Sequence, residues 1–587
     1  MSNCCKKAPT PEARLAGVSP APARWTPGAN VCRLPAAAAE RFLAAAEPLT
    51  ELPALAQLIQ PAGLTLGPEG YALELAPSGA VTLRADGAAG LFYGAITLRQ
   101  LVRVYGPNLP AGKIEDRPEF PERGFMLDVS RDKVPTLDTL RGLLDLCAEF
   151  KINQVELYLE HAFAYTRHQA VWAEADPLTG ADLRALDAYA RARFIELIPN
   201  QNSFGHFERW LKHPAYRDLA AAPEGFVPPW GGARRPPSTL DPTHPGALRL
   251  IEELYDELLP NFSSRQFNVG CDETWDLDQG RLAALCAARG KGRVYLDFLL
   301  QLYAAVTRRG RRMRYWGDII LHHPELIPEL PADATALNWG YEADHPFDAD
   351  SARFAAADRP FLVCPGTSSW NSLVGRTDNM LRNIRAAAAA GKAHGARGLL
   401  NTDWGDNGHW QYLPFSYPGL VAGAMESWRA GSAGEAVVAD ALNRHVFRDA
   451  AGALGPLVCA LGRVSEQTGI RPHNRAVLFN ALRNDPHDPI PPAALARAAA
   501  TLEEAMRPLP AARSIAPDAA LVVDEIRQAA RMVRLALARA GGEPASADAW
   551  DEIITEHQHL WRARNREGGL KDSIARMLTA REAAAGN

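Results

Sequence analysis

Long apolar runs are missing from this 587-residue chain. Nowhere do the roughly 18 uncharged apolar residues of a membrane-crossing helix stand together. The opening Met1-Ser2-Asn3-Cys4-Cys5-Lys6-Lys7 has no apolar core of a secretion signal. The chain therefore reads as cytoplasmic, without a membrane partner. Charge of one sign is also missing: 63 Lys and Arg stand against 68 Asp and Glu, a net of −5 with no single-sign block, which argues against nucleic acid or an anionic membrane as partner. Cysteine is sparse, with 8 residues scattered at 4, 5, 32, 147, 271, 286, 364 and 459 and no paired CxxC spacing. Such dispersion predicts mostly reduced, partly buried thiols, with no paired spacing for a zinc site, and the adjacent Cys4-Cys5 reads as part of a disordered tail. No GxxxxGK[ST] loop, no GxGxxG after a strand and no HExxH is present, so nucleotide and zinc-protease chemistry have no motif to rest on.

The composition is that of a globular protein, 47% hydrophobic and 22% charged. At about 100–200 residues per domain, the length fits three or four domains, or one large barrel with flanking modules. Residues 1–117 read as a Pro/Ala-rich tail and a small α/β domain. Within it Tyr71, Leu73 and Leu75 alternate with smaller or polar residues, Pro77-Ser78-Gly79 turns the chain, and Val81-Thr82-Leu83 returns it as a hairpin, followed by a helix from Ala88 to about Val102. Residues 118–430 alternate short apolar runs with helical patterns. The runs are Phe125–Val129, Ile152–Leu159, Phe194–Pro199, Phe267–Cys271, Met313–Trp316, Ala336–Trp339, Phe361–Cys364 and Gly398–Asn401. Eight such strands predict a (β/α)8 TIM barrel, although periodicity alone leaves a doubly wound sheet open. Thr136 is the expected N-cap of a helix from Leu137 to Phe150. Residues 431–587 are rich in Ala, Leu, Arg and Glu and read as a helical domain without a catalytic role; one helix carries Val522, Ile526, Ala529, Val533 and Leu537 on a single face and ends at Gly541-Gly542. Nothing in the sequence indicates a homo-oligomer, though these helices leave room for one.

Polar residues gather where each run ends, and the C-terminal ends of barrel strands build the active site. These ends read Asp128-Val129-Ser130-Arg131, Glu160-His161, Asn200 through His206, Asp272-Glu273, Trp316-Gly317-Asp318, Asn338-Trp339, Trp370-Asn371 and Asp403-Trp404-Gly405-Asp406. Adjacent carboxylates in a regular strand face opposite ways, so Asp272 and Glu273 share one mouth only if the ladder breaks and the chain leaves the barrel at Glu273. Repulsion between them would raise one proton affinity, as a general acid requires. Alone, the dipeptide is more often a helix cap or a solvated pair. Tryptophan shifts the reading, because 10 of 13 indoles lie between Gly124 and Trp428, and Trp316, Trp339, Trp370 and Trp404 follow four successive runs. Branched aliphatics ordinarily fill a barrel, whereas flat indoles at its mouth suit the C–H faces of a sugar. Wedging between loops is their structural alternative. A metal site built from scattered His and Asp, with His206 and His213 near in sequence, is the weaker option.

These residues resemble a known family. Phe267-Asn268-Val269-Gly270-Cys271-Asp272-Glu273 resembles the Asp-Glu signature of glycoside hydrolase family 20, the β-N-acetylhexosaminidases. Gly124-Phe125-Met126-Leu127-Asp128-Val129-Ser130-Arg131 is similar to its first barrel strand with the sugar-binding Arg, and Gly70–Leu101 to the small domain before the barrel. The resemblance covers about Leu64 to Trp428. It implies an exo-acting enzyme that removes terminal GlcNAc or GalNAc with no metal or organic cofactor, by substrate-assisted retaining hydrolysis. Glu273 would be general acid and then base, and Asp272 would orient the 2-acetamido group as its oxygen attacks the anomeric carbon to form an oxazolinium. Glu160, His206 and Glu273 would form a proton relay. Arg131 and Asp406 would bind hydroxyls, Trp316, Trp339, Trp370 and Trp404 would wall the pocket, and Asn202, Asp318 and Asn371 would complete the substrate-binding set.

The chain also departs from that family. Where the family carries Pro-Glu-Ile-Asp and Pro-Gly-His, this chain has Pro199-Asn200-Gln201-Asn202-Ser203-Phe204-Gly205-His206; where it has His-Leu-x-Asp, this chain has Tyr158-Leu159-Glu160-His161. In place of the tyrosine that hydrogen-bonds the acetamido carbonyl stands Trp370-Asn371. The expected partner is a small carbohydrate or glycoconjugate. Two other classes stay open, a catalytically silent sugar-binding barrel and a metal-assisted hydrolase of another barrel family. Asn261-Phe262-Ser263 has the glycosylation pattern, but without a signal segment it is expected to stay unmodified.

Overall fold

The computed structural model describes residues 15–45, 47–543 and 546–585. Cys4-Cys5 and the tail around them lie outside the described residues. Five strands, β1 (Arg24–Arg33), β2 (Gln57–Ile59), β3 (Tyr71–Leu75), β4 (Val81–Ala85) and β5 (Asn108–Asp116), form a sheet in the order β1-β5-β3-β4-β2. The expected hairpin is β3–β4, antiparallel from Tyr71 opposite Ala85 to Leu75 opposite Val81. The helix Ala88–Tyr105 covers one face of this sheet, and Gly94 lets it approach, since a Cβ there would stand 2.3 Å from Leu83 Cδ1.

The eight runs close into a parallel barrel: β6 (Glu122–Asp128), β7 (Gln154–Leu159), β8 (Glu196–Gln201), β9 (Gln266–Asn268), β10 (Arg312–Trp316), β11 (Thr335–Trp339), β12 (Phe361–Cys364) and β13 (Gly398–Asp403). The ring closes where β13 returns to β6, with Gly398 opposite Glu122 and Asp403 opposite Leu127. A doubly wound sheet is thereby excluded. Thr136 caps the following helix as expected, its Oγ1 accepting Thr139 N–H at 3.2 Å.

The thinnest seam lies between β8 and β9, which share one register pair, Asn200 opposite Asn268. Strand β9 stops at Asn268 because Gly270 (φ +68°) and Cys271 (φ +74°) are left-handed. A Cβ at Gly270 would lie 2.6 Å from Asn202 Cγ, so only glycine fits that corner. The ladder therefore breaks three residues earlier than the expected run to Cys271, and well before Glu273.

The barrel floor departs from the aliphatic filling expected from sequence. Arg314 is fully buried and donates to Glu156 (2.8 Å), Glu122 (2.6 Å), Gln154 (2.8 Å) and Gln266 (2.8 Å), while Asn200 and Asn268 donate to the other Glu156 oxygen. Each guanidinium nitrogen of Arg314 finds an acceptor, so its buried charge is paired, and Asn200 Oδ1 is left without a partner among the described groups. The six described cysteines are all buried and free. Asn261 is buried, and its amide spans Glu257 O, Leu258 O and Arg184, so its side chain terminates a helix.

Helices from Glu435 to Ala585 pack against the barrel, with Thr139 Oγ1 donating to Arg564 O at 2.7 Å and Arg209 joining Asp132 (2.7 Å) to Asp572 (2.6 Å). Among the described residues no helix is long and apolar enough to cross a membrane.

Arg314→Met leaves Glu156 without a cation inside the barrel, while Glu122 keeps Arg397 at 2.7 Å, and should cost about 3–5 kcal/mol. A fall in the urea midpoint checks this, and Glu156→Gln, which keeps the shape and removes one charge, should cost less.

Candidate active site

Each polar group at the barrel mouth is set there by a local backbone device. Asp128 ends β6, and its Oδ1 accepts Ser130 N–H (2.9 Å) and Arg131 N–H (3.0 Å), turning the chain so that Arg131 reverses over the mouth. Its Oδ2 accepts Arg131 Nη1 (3.1 Å) and Gly405 N–H (3.1 Å), which ties the end of β6 to the end of β13. Arg131 then lies 3.2 Å from Glu160 and 3.6 Å from Asp406, with its guanidinium over the faces of Tyr158 and Trp404.

On β7 the two-residue period sends Glu156, Tyr158 and Glu160 to one face. Glu156 meets Arg314 below, whereas Tyr158 donates to Glu160 at 3.0 Å near the mouth. On the loops after β8 and β9, His206 (φ +58°) and Glu273 (φ +51°) are left-handed non-glycine residues. This conformation turns both carboxylates of Asp272-Glu273 to one imidazole: His206 Nε2 is 3.3 Å from Asp272 and 3.5 Å from Glu273. These are close charge contacts without hydrogen-bond alignment, and Nε2 has no partner among the described groups. His206 Nδ1 lies 3.3 Å from Arg131 Nη2 and 3.9 Å from Glu160, so Glu160 is nearer the arginine than the histidine.

The environment separates the proton affinities. Burial alone would lower that of His206, but the Asp272 carboxylate, helped by Glu273, lifts it to about 10. Burial would raise Asp272, yet His206, Arg131 and the Asn202 amide hold it below the ordinary carboxylate range. Glu273 is lifted by burial and the neighbouring Asp272 charge against the pull of His206. Burial raises Glu160 to about 7 despite Arg131 and His206, and burial with the Asp272 charge raises Asp318 to about 8. Of the two consecutive carboxyls, one is held charged and one is pushed toward its acid form.

Two residues expected to bind substrate sit behind the carboxylates. Asn202 is fully buried; its Nδ2 donates to Asp272 at 2.8 Å and its Oδ1 accepts Cys271 N–H at 3.1 Å, so it orients Asp272. Asp318 accepts Glu273 N–H (3.1 Å) and Trp339 Nε1 (3.3 Å), which fixes the backbone of the exposed carboxyl. Asn371 donates to Asp406 at 3.2 Å and accepts Asn407 at 2.8 Å.

The four tryptophans do converge, with Trp316 and Trp370 buried as floor rather than standing open at the rim. Trp316 packs on Trp404 (5.8 Å), and its Nε1 has no partner. Trp370 Nε1 donates to Asn474 Oδ1 at 3.0 Å, and the Asn474 carbonyl accepts Asn371 Nδ2 at 3.2 Å. The C-terminal helical region thus supplies a residue to the pocket wall, where sequence gave it scaffold only. Sequence also passed over Tyr341, which stacks on Trp339 at 5.1 Å, meets Trp370 edge-on at 4.9 Å and accepts Trp404 Nε1 at 2.8 Å. Its signal was available: it lies two residues beyond Trp339, in step with the β11 alternation. Tyr158 and Asp128 carried the same kind of signal. Among the described residues no group of three His, Cys, Asp or Glu is arranged to hold a metal ion.

Acids flanking one imidazole above an indole floor define a glycosidase-like pocket on a (β/α)8 barrel. The chain matches the family model "Glycosyl hydrolase family 20, catalytic domain" over residues 120–368 and "Glycosyl hydrolase family 20, domain 2" over residues 16–117. It belongs to glycosyl hydrolase family 20. The catalytic-domain match ends before Trp370, Asn371, Trp404 and Asp406, whereas the departures at 158–161 and 199–206 lie within it. A β-hexosaminidase of Porphyromonas gingivalis is 29% identical over 310 residues, 47% of this chain and 38% of that one. A lacto-N-biosidase of Bifidobacterium bifidum is 26% identical over 269 residues, 44% of this chain and 23% of that one. The match thus spans well under half of either relative. The solved N-acetyl-β-hexosaminidase of Streptomyces plicatus superposes with a TM-score of 0.55 at 22% identity, covering 72% of this chain and 93% of that one. A chitobiase of Flavobacterium johnsoniae gives 0.60 at 16% identity, covering 97% and 99%. At these identities the likeness is one of fold.

Protonated His206 stabilises the fold, because its affinity rises from the ordinary 6.5 to about 10. Its contribution is complete below pH 6.5 and fades as pH rises through about 10. Calorimetry between pH 6 and 10 should show a shallower alkaline loss of Tm in His206→Gln than in the parent protein; parallel curves would mean that the imidazole is neutral.

Proposed function

We propose that this protein is an exo-acting β-N-acetylhexosaminidase that removes terminal GlcNAc or GalNAc by substrate-assisted retaining hydrolysis. The observation that carries the reading is the split between Asp272, held charged, and Glu273, pushed toward its acid form, with both carboxyls within 3.5 Å of His206 Nε2. Glu273 protonates the glycosidic oxygen as the bond to the anomeric carbon breaks, then takes a proton from the water that opens the intermediate. Asp272, oriented by Asn202, holds the 2-acetamido N–H and stabilises the positive charge that develops as the acetamido oxygen attacks the anomeric carbon. Two carboxyls side by side leave no room for the opposed nucleophile and acid of the ordinary scheme, and an internal nucleophile removes the need for one. Protonated His206 faces both carboxyls and moderates their charge, with Glu160 behind Arg131 as the reserve carboxyl.

Arg131 and Asp406 face the pocket as complementary donor and acceptor for sugar hydroxyls, and Trp339, Trp370, Trp404 and Tyr341 provide the apolar walls. Trp316 Nε1 adds an unspent donor at the floor. The pocket needs no metal or organic cofactor for this chemistry. The substrate is a carbohydrate or glycoconjugate with a 2-acetamido sugar at its non-reducing end.

Initial rates on p-nitrophenyl β-GlcNAc, β-GalNAc and β-glucoside, with and without chelator, test the reading. Turnover of the two acetamido sugars alone, insensitive to chelator, is the expected result; equal turnover of the glucoside would overturn it. Glu273→Gln should lose about 10²–10⁴-fold in kcat on poor leaving groups and less on p-nitrophenol, where acid assistance matters less. Asp272→Asn should slow every acetamido substrate whatever its leaving group. Equal, mild losses in both variants would make the pair a structural cap.

A further inference from the structure

Trp230 is the one aromatic among the strongly exposed large apolar residues described, with 60% of its surface open. It sits in the β8–β9 connection at the C-terminal face of the barrel, on a hairpin closed by Phe226 N–H to Arg235 O (3.0 Å) and Arg235 N–H to Phe226 O (2.8 Å). Gly225 (φ +81°) permits the closure, since a Cβ there would stand 2.2 Å from Arg235 O. The Arg235 guanidinium lies 5.1 Å from the centre of the Trp230 ring.

This hairpin is fastened to the loop that carries Glu273. The Gln279 amide grips Val227 twice, accepting its N–H at 3.0 Å and donating to its carbonyl at 2.9 Å. Asp276 Oδ2 accepts Ser238 N–H (3.0 Å) and Thr239 N–H (3.1 Å) just beyond the hairpin. Trp275 meets Trp230 edge to face at 5.5 Å, and its own N–H donates to Glu273 O at 2.7 Å. Of the carboxyls around His206, Glu273 is the open one, 33% exposed against 7% for both Asp272 and Glu160. A glycosidic oxygen protonated by Glu273 sends its leaving group out through the open side of that carboxyl, whose loop carries Trp275 two residues on and, through it, the Trp230 hairpin.

We propose that Trp230, braced by Trp275 and Arg235, is the platform for the first sugar ring of the leaving group, so that the enzyme favours a glycan aglycone over a small alcohol. This rests on the glycosidase reading above and adds the leaving-group specificity of the same site. Two side-chain clamps, the edge-on Trp275 ring and a cation–π contact hold this indole in the open against the loop that carries Glu273. The amphipathic ring of a sugar offers the C–H face that such an indole stacks on. Gln279 is a positioning residue, because it pins the hairpin without touching the sugar.

The test compares kcat/KM on diacetylchitobiose, which has a leaving-group ring, with kcat/KM on methyl β-GlcNAc, which has none. Trp230→Ala should lower the disaccharide-to-methyl ratio about two- to tenfold, Trp230→Phe should keep most of it, and Gln279→Ala should lower it in the same direction. Misfolding would depress both substrates together and leave the ratio alone, so an unchanged ratio in Trp230→Ala overturns the platform. If the parent protein turns over neither substrate, the glycosidase reading itself fails; if it turns over both and the ratio ignores Trp230, only the platform fails.

Discussion

The mouth of this barrel depends on two cations holding five carboxyls together. Asp128, Glu160, Asp272, Glu273 and Asp406 converge on Arg131 and His206, and opposite charges about 4 Å apart near a protein surface attract by about 4 kcal/mol. Without the guanidinium and the imidazolium, burial would drive Glu160, Asp272, Glu273 and Asp406 toward their acid forms. With them, the charge is shared unevenly: Asp272, against His206 and the Asn202 amide, stays ionised, while Glu273 and Asp318 are lifted. That unevenness is what lets adjacent residues take an electrostatic and an acid role.

The backbone accepts strain to create this arrangement. Cys271, Glu273 and His206 are all left-handed without being glycine, a conformation that costs of order 1–3 kcal/mol per residue and persists only where surroundings over-determine it. The surroundings do so here: Asn202 receives Cys271 N–H, Asp318 receives Glu273 N–H, and the Asp128 carboxylate binds the ends of β6 and β13 together. Below, the Arg314 network gives the barrel a rigid polar floor, and the C-terminal helices close the far side through Asn474 on Trp370 and Asn371. Catalytic geometry is thus supported from beneath by charge and from the side by a region outside the barrel.

The fold was largely legible because its signals are local. Eight apolar runs, a Pro-Ser-Gly turn between alternating strands and Thr136 before an amphipathic helix each depend on neighbours within a few residues, and each marks an element near its expected bounds. The run ending at Cys271 was read too long, because apolar character continues through Val269 and Cys271 while a left-handed Gly270 ends the ladder. Tyr158 within β7 and Tyr341 two residues beyond β11 keep the two-residue period of their strands, but nothing local marks them as facing the mouth.

The sequence by itself determined the chemistry on offer: a barrel, an Asp-Glu pair at the end of one strand, an Arg at the end of another, and indoles after four more. These follow from period and residue type, which are properties of the chain. Only the tertiary structure decided which polar groups face a ligand and which face each other. Asn202 and Asp318 look like substrate binders in sequence and turn out to be spent on Asp272 and Glu273, and Asn474 joins the pocket from a helical region that showed no sign of it. The reason is physical. A side chain's role depends on which partner it meets across the mouth, and partners 45 to 104 positions away are brought together by closure of the barrel, not by any pattern along the chain.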